Sequence, residues 1–325
     1  MLNMPQSKAN ITAGLQYQTS QDLTISIIVC AGLSCTFLYI NSVLLFTLRS
    51  KTVFRETSRF ILLYNLLFAD TLQLVSNLLL YVLAACRIKL TFYVCGSLIM
   101  LSILMTTISP LTLAVMSLER YVAVCYPLRH TAIITIRSTG ISITLVWAFS
   151  FLNILIRVLL LYSNTKFSLT LQMKDFCSKE AMFLASILYH FDKAYAGILF
   201  LSVGVAIICS YMGVMLVARS ASTDKASTRK ASQTLLLHLS QLGLILISTL
   251  YSTMIIAIAR TGDRLVLVRL YSVFFVCFSI LPRCLNALIY GLRDQTIRPI
   301  LMYHLCCQWK CSAFLTKGNA TNRLK

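Results

Sequence analysis

Charge is what this 325-residue chain has least of: Asp, Glu, Lys and Arg together make up 12% of it, against 58% hydrophobic residues and a mean hydropathy of +0.80. The chain is long enough to bury a core, but it has too little polar surface to cover one in water. Acidic side chains are scarcer still, 10 against 29 basic ones, for a net charge of +19. Such an excess suits a nucleic-acid partner. Here, however, the basic residues fall between apolar runs and form no stripe with interleaved aromatics, so no nucleic acid is expected. Recognisable reaction centres are missing as well. There is no HExxH, no GxSxG, no phosphate-binding glycine loop and no CxxC with a second pair to close a metal site. No enzyme, cofactor or metal is expected.

What the chain does have is long apolar runs. Residues 90–118 hold no charge at all, twenty-nine in succession ending at Glu119-Arg120. A soluble core has no easy use for such a run; a membrane does. Seven stretches are long enough to cross a bilayer, near 24–48, 60–85, 92–118, 139–162, 194–218, 233–259 and 265–291. With short connections and no internal repeat, they predict an all-α membrane protein, one seven-transmembrane helix bundle over 24–291. An N-terminal tail, 1–23, precedes it, and a C-terminal tail, 292–325, follows with a short amphipathic helix near Arg293 to Tyr303.

Orientation follows from Lys and Arg. With the N-terminus outside, the inward segments hold 17 basic residues and the outward ones 9. The expectation is therefore a multi-pass plasma-membrane protein with an extracellular N-terminus and a cytoplasmic C-terminus. Asn10-Ile11-Thr12 is a glycosylation sequon in the outward tail. Residues 1–23 show no apolar signal-peptide core, so the first span is expected to act as the signal anchor. Transport is disfavoured, since seven spans do not divide into two matching halves with broken helices.

Half of the 12 cysteines fall within spans, where a lone thiol behaves as a small hydrophobe. Cys95, at the outer start of the third span, and Cys177, in the loop 163–193, can pair in an oxidising exterior; Cys86 is near the same surface and competes as a partner. Cys306 and Cys307 follow the amphipathic stretch and are candidates for S-palmitoylation, with free cytosolic thiols as the other reading.

The stretch MSLERYVAVCYPLRH, residues 116–130, resembles the third-span ending of rhodopsin-like G-protein-coupled receptors, and of odorant receptors in particular. The likeness extends to Asn41 in INSVLLF, Asp70 in LLFAD, Trp147, Ser210-Tyr211, Lys230-Ala231 through His238-Leu239, and LNALIYGLRD. Glu119 replaces the usual Asp, Ala287 stands where Pro is common in the seventh span, and Leu246 stands where an aromatic is common. The second span lacks the PMYxFL start common in mammalian odorant receptors, so the chain more closely resembles a divergent, fish-type odorant receptor. The resemblance implies a small-molecule odorant outside and a heterotrimeric G protein, stimulatory or olfactory, inside. It implies a switch at Glu119, Arg120 and Tyr121, with Tyr211 and Tyr290 as partners for a released Arg120. A receptor for a peptide or lipid is the first alternative; a transporter or channel is the second.

For the ligand, Ser102, Ile103, Thr106 and Thr107 share one face of the third helix about four turns above Arg120. By resemblance Tyr195, Thr249 and Thr253 face them. A mixed apolar and hydroxyl lining suits a small, mostly apolar molecule, although Ser and Thr in membrane bundles often bond only within their own helix. Ser102 stands where amine receptors of the family carry an Asp, which disfavours a cationic amine. Arg157, Arg260 and Arg269 are placed to receive a carboxylate or to snorkel to headgroups.

Arg283 is the least expected residue. It shares a helical face with Asn286 and Tyr290 at i, i+3 and i+7. In related receptors that face helps enclose a small sodium site, which here corresponds to Asp70, Ser109 and Asn286, with Asn41 in the same buried polar network. Arg283 is therefore expected to pair with Asp70 in place of a sodium ion; the other reading is that it turns toward a water-filled cavity or the ligand pocket without touching Asp70.

Overall fold

A computed structural model of the chain describes residues 6–86, 88, 90–164, 177, 186–220, 229, 232–247, 280, 283 and 297–305. Five helices in it are long and apolar enough to cross a membrane. They are α1 (Gln6–Ser50), α3 (Ser58–Ala85), α4 (Phe92–Cys125), α6 (Ile136–Asn164) and α7 (Ser186–Ser220). Shorter pieces complete the described chain: α2 (Thr52–Glu56), a single 3-10 turn at Pro127–Arg129, α5 (His130–Ile133), α8 (Ser232–Ile247) and α9 (Ile297–Leu305). The expected sixth span is described only as far as Ile247, and of the seventh only Ile280 and Arg283.

Three helices run beyond the apolar stretches that announce them. α1 begins at Gln6, so most of the expected N-terminal tail, Asn10 included, is helical backbone. Nothing in that segment stops a helix, as its one Gly is isolated and Pro5 lies just ahead of the first turn. α4 carries Glu119 and Arg120 on to Cys125, because a charge at the water boundary ends an apolar run without ending a helix. α7 starts at Ser186, two turns before the expected 194, and takes Asp192 and Lys193 into the helix. The reason is a partner for Asp192, described below.

The helices pack inward on Leu-rich faces and present apolar side chains outward too, as a lipid-facing surface requires. Leu44, Leu66, Leu113 and Ile207 are fully buried in the main cluster, while Phe46, Leu145, Ile198 and Leu201 are each more than 60% exposed. α4 is the central helix and packs against α3, α6 and α7. Between α3, α4 and α6 a polar contact stands in for hydrophobic drive, which is weak inside a bilayer. Trp147 Nε1 donates to Asn65 Oδ1 at 2.9 Å, and Asn65 Nδ2 donates to Thr112 Oγ1 at 3.0 Å.

α9 lies across the end of α1. Its Ile297 and Leu301, one turn apart and fully buried, join the cluster that holds Leu44, Leu48 and Phe54. Arg298 and Met302 on its other side are exposed, the division expected of an amphipathic helix. Pro299 is tolerated because it falls in the first turn, where no backbone N–H is needed.

Candidate functional site

At one end of the bundle, the buried carboxylate of Glu119 holds Arg120: Nε stands 2.9 Å from Oε2. His130, on the following turn of chain, places Nε2 3.9 Å from Oε1 of the same carboxylate. α7 and the start of α8 meet α4 beside this pair. Tyr121 packs edge-on against Tyr126, with ring centroids 6.0 Å apart, and its ring rests on Gly213 of α7. Val124 and Cys125 meet Tyr211, Val214 and Leu235, joining α4, α7 and the start of α8. His238, fully buried on α8, lies within electrostatic reach of Arg120 and of Arg59 on α3. Sequence reasoning quoted His238 as part of a motif and gave it no role; its depth shows only once α8 is packed. Tyr290 lies outside the described residues.

Midway along the bundle, two helices bring a hydroxyl and a guanidinium to one carboxylate. Ser109 Oγ donates to Asp70 Oδ1 at 2.7 Å, and Arg283 Nη1 donates to the same oxygen at 3.2 Å. Asp70 and Ser109 are fully buried and Arg283 nearly so. Asn41 is fully buried as well but is not joined to this group: among the described residues, neither atom of its amide has a hydrogen-bond partner. Asn286 lies outside the described residues.

The expected ligand face of α4 divides three ways. Ser102 is already engaged with α3: Gln73 Nε2 donates to its Oγ at 2.8 Å, and the hydroxyl donates to Asn77 Oδ1 at 3.2 Å. Gln73 and Asn77 were not singled out in the sequence, because a single amide in an apolar run gives no signal until its neighbour is known. Ile103 is core, packed beneath the disulfide with Ile99 and Leu188. Thr106 and Thr107 turn their hydroxyls back to the carbonyls of Ser102 and Ile103, at 2.9 and 3.0 Å. Tyr195 comes from α7 toward Thr107, its hydroxyl shielded from solvent. Thr249 and Thr253 lie outside the described residues. An apolar cleft of about 260 Å³ does exist between α4 and α6, lined by Leu111, Val115, Leu145 and Phe149, but it opens outward and is away from Thr106 and Thr107.

Arg157 does not snorkel. It is 2% exposed and its Nη1 stands 2.8 Å from Asp192 Oδ1 on α7. Its Nε donates to Asn153 Oδ1 at 3.2 Å, and its guanidinium lies over the rings of Phe191 and Tyr195, at 5.3 and 5.7 Å. Asp192, in the span's expected outer loop, is the partner that sequence reasoning missed. Its position three residues before Tyr195 on an extended helix was the available signal. Arg260 and Arg269 lie outside the described residues.

Cys95 and Cys177 are bonded, with Cα atoms 5.6 Å apart and both side chains buried, and Cys86 is a free thiol. The bond anchors residue 177 on the first turn of α4, at the end opposite Glu119 and Arg120. Cys306 and Cys307 lie outside the described residues.

Comparison with known proteins agrees with this arrangement. The chain matches the model for the 7 transmembrane receptor (rhodopsin family) over residues 40–290. It is similar to odorant receptor 131-2 of Danio rerio, 30% identical over 310 residues that cover 94% of this chain and 93% of the relative. It is also similar to olfactory receptor 2A12 of Homo sapiens, at 28% over 206 residues and 59% and 61% of the two chains. Olfactory receptor 4M1 of Mus musculus matches at 24% over 196 residues, 57% and 58% of the two. A family match that runs from the buried Asn41 through Arg120 and the Trp147 contact to residue 290 takes in nearly the whole bundle. The chain is thus a multi-pass membrane receptor, not an enzyme, and belongs to the rhodopsin family of seven-transmembrane receptors.

Proposed function

We propose that this receptor detects a small odorant at its outer side and activates a heterotrimeric G protein, of stimulatory or olfactory type, at its inner side. The runs at 233–259 and 265–291 complete seven crossings. The N-terminus is extracellular, with Asn10 available for glycosylation, and α9 lies along the cytoplasmic face with Cys306 and Cys307 as lipidation sites. The 17 inward basic residues support that direction, as does a disulfide at the end where the environment oxidises. Likeness to receptors named odorant and olfactory supports the ligand class.

The observation that carries the reading is the hold of Glu119 on Arg120, 2.9 Å apart where α4, α7 and α8 converge. A buried carboxylate beside an arginine makes an element with two states, held and released, and release is what a helix-packing change at the outer side would bias. Ligand binding would act on that equilibrium through Thr106, Thr107, Tyr195 and, on the sixth helix, Thr249 and Thr253. Glu119, Arg120, Tyr121, Tyr211 and Tyr290 would form the inner switch.

The test is an odorant panel screened in cells with a cAMP readout, wild type against Arg120→Ala. A ligand-dependent signal in the wild type that is lost in a surface-expressed Arg120→Ala receptor supports the proposal. An unchanged signal in the variant, or substrate flux or current in place of signalling, counts against it.

A further inference from the structure

The outer half of α6 buries polar side chains where a membrane helix ordinarily buries apolar ones. Ser150, Asn153 and Arg157 recur at i, i+3 and i+7, and each is at most 2% exposed. The last of them meets Asp192 on α7, and the pair is enclosed by the same helix's rings. Phe191 and Tyr195, one turn apart, lie under the guanidinium, and Tyr195 in turn stacks on Phe149 of α6 at 6.2 Å.

A charged pair so enclosed costs desolvation energy, and well-packed apolar residues would join two helices at least as firmly. Its presence next to Tyr195, one of the ligand-facing candidates, gives it a chemical meaning. A lone arginine at this depth would draw any anion that entered the site, as the sequence by itself suggested. Asp192 supplies that anion from within the chain. It occupies one edge of the guanidinium, Asn153 takes Nε, and aromatic rings cover the adjacent face. An entering carboxylate would have to displace Asp192 and would meet its like charge. An entering ammonium would find the Asp192 carboxylate already held by Arg157.

We infer that Arg157 and Asp192 form a self-neutralising pair that makes the ligand site of this receptor selective for uncharged molecules, and that positions Tyr195 against Thr107. The inference rests on the proposed role as a small-molecule receptor. Asp192, whose side chain is 17% exposed, is the member within reach of the site; Arg157 acts behind it.

The experiment has a ligand-free arm and a ligand arm. In the first, surface expression is measured for Arg157→Asp, Asp192→Arg and the exchanged double variant. Loss in each single variant and recovery in the exchange support the pair. Equal loss in all three overturns it, whether or not any odorant is found.

In the second arm, cAMP responses to octanol, octanal, octanoic acid and octylamine are compared for the wild type, Asp192→Asn and the neutral double variant Arg157→Gln/Asp192→Asn. The expected result is that Asp192→Asn, which takes this carboxylate's charge off the guanidinium, gains a response to octanoic acid with a half-maximal concentration lowered about tenfold or more, equivalent to about 1.4 kcal/mol. The double variant, neutral again, does not gain it. A wild type that already responds to octanoic acid as well as to octanol overturns the inference while leaving the receptor reading intact. Silence of every form toward every probe, despite surface expression, overturns the ligand-class reading and the inference with it, and the first arm still decides whether the pair exists.

Discussion

Arg283 Nη1 stands 3.2 Å from Asp70 Oδ1, and Ser109 Oγ meets the same oxygen at 2.7 Å. Residues 213 positions apart thus neutralise each other in the middle of the bundle. An unpaired charge at that depth costs about 2.5–3.5 kcal/mol on insertion scales, so each has reason to seek the other. A guanidinium on that carboxylate also takes the place a small cation would need. The function proposed for the pair is that of a built-in counter-ion.

The expected outcome is a non-additive double-mutant cycle. Removing one partner of a buried pair costs about 3–5 kcal/mol, because the survivor is left uncompensated. Asp70→Asn or Arg283→Gln alone should therefore reduce surface expression and signalling more than Asp70→Asn/Arg283→Gln together. Signalling of the wild type should not respond to sodium at constant ionic strength. Strictly additive losses, or a sodium response, would contradict the pairing.

Glu119→Gln should raise ligand-free cAMP. The substitution keeps the shape and a hydrogen-bond acceptor near Arg120 but removes the charge, so the held state loses most of its electrostatic advantage, on the order of 1–2 kcal/mol for a partly exposed pair. Arg120 has a side chain 21% exposed, which places it in that lower range. Basal activity equal to wild type at matched surface expression would show that Glu119 marks the membrane boundary and nothing more.

Depth was legible in the sequence and partners were not. The apolar runs place α1, α3, α4, α6 and α7, since a bilayer demands about twenty apolar residues per crossing and little else produces them. Where those runs end in a charge, the reading stopped and the helix did not, at Glu119 and again at Lys193, because a helix tolerates a charge that has a partner or reaches water. Arg157 shows the limit most sharply. Its depth made it a candidate for a ligand carboxylate, but the carboxylate it meets, Asp192, was counted in a loop, and only the packing of α6 on α7 joins the two. Ser102 fails the same way: its spacing on α4 was right, and its hydroxyl is engaged by Gln73 and Asn77 across the α3 interface.

Cys95→Ser or Cys177→Ser should each reduce surface expression severalfold, and the double variant no further than either alone. The bond closes a segment of 82 residues, for which chain entropy gives about 4–5 kcal/mol as an upper limit, since helices that persist in the bilayer have less freedom to lose. Cys86→Ser, which removes a free and exposed thiol, is the control and should express as wild type. Free thiols at both 95 and 177 in non-reducing peptide mapping of surface receptor would overturn the assignment.

Gly213 offers the sharpest test of how α7 meets the switch. A methyl group added there would fall onto Cε2 and Cδ2 of Tyr121, the neighbour of Arg120, whereas one added at Gly197, higher on the same helix, meets nothing within 4 Å. In an exposed helix interior Gly→Ala gains up to about 1 kcal/mol from backbone entropy. Gly197→Ala should therefore be neutral or mildly stabilising in thermal unfolding of the detergent-solubilised receptor. Gly213→Ala makes the same backbone gain and must also displace the Tyr121 ring or part the two helices, an overpacking cost of about 1–3 kcal/mol. It should lower the unfolding temperature and change ligand-free cAMP, because the displaced ring sits beside the Glu119–Arg120 pair. Adding Tyr121→Ala removes the obstructing ring, so Gly213→Ala in that background should recover the behaviour of Gly197→Ala. If Gly213→Ala matches Gly197→Ala in the native background as well, Tyr121 does not rest on α7.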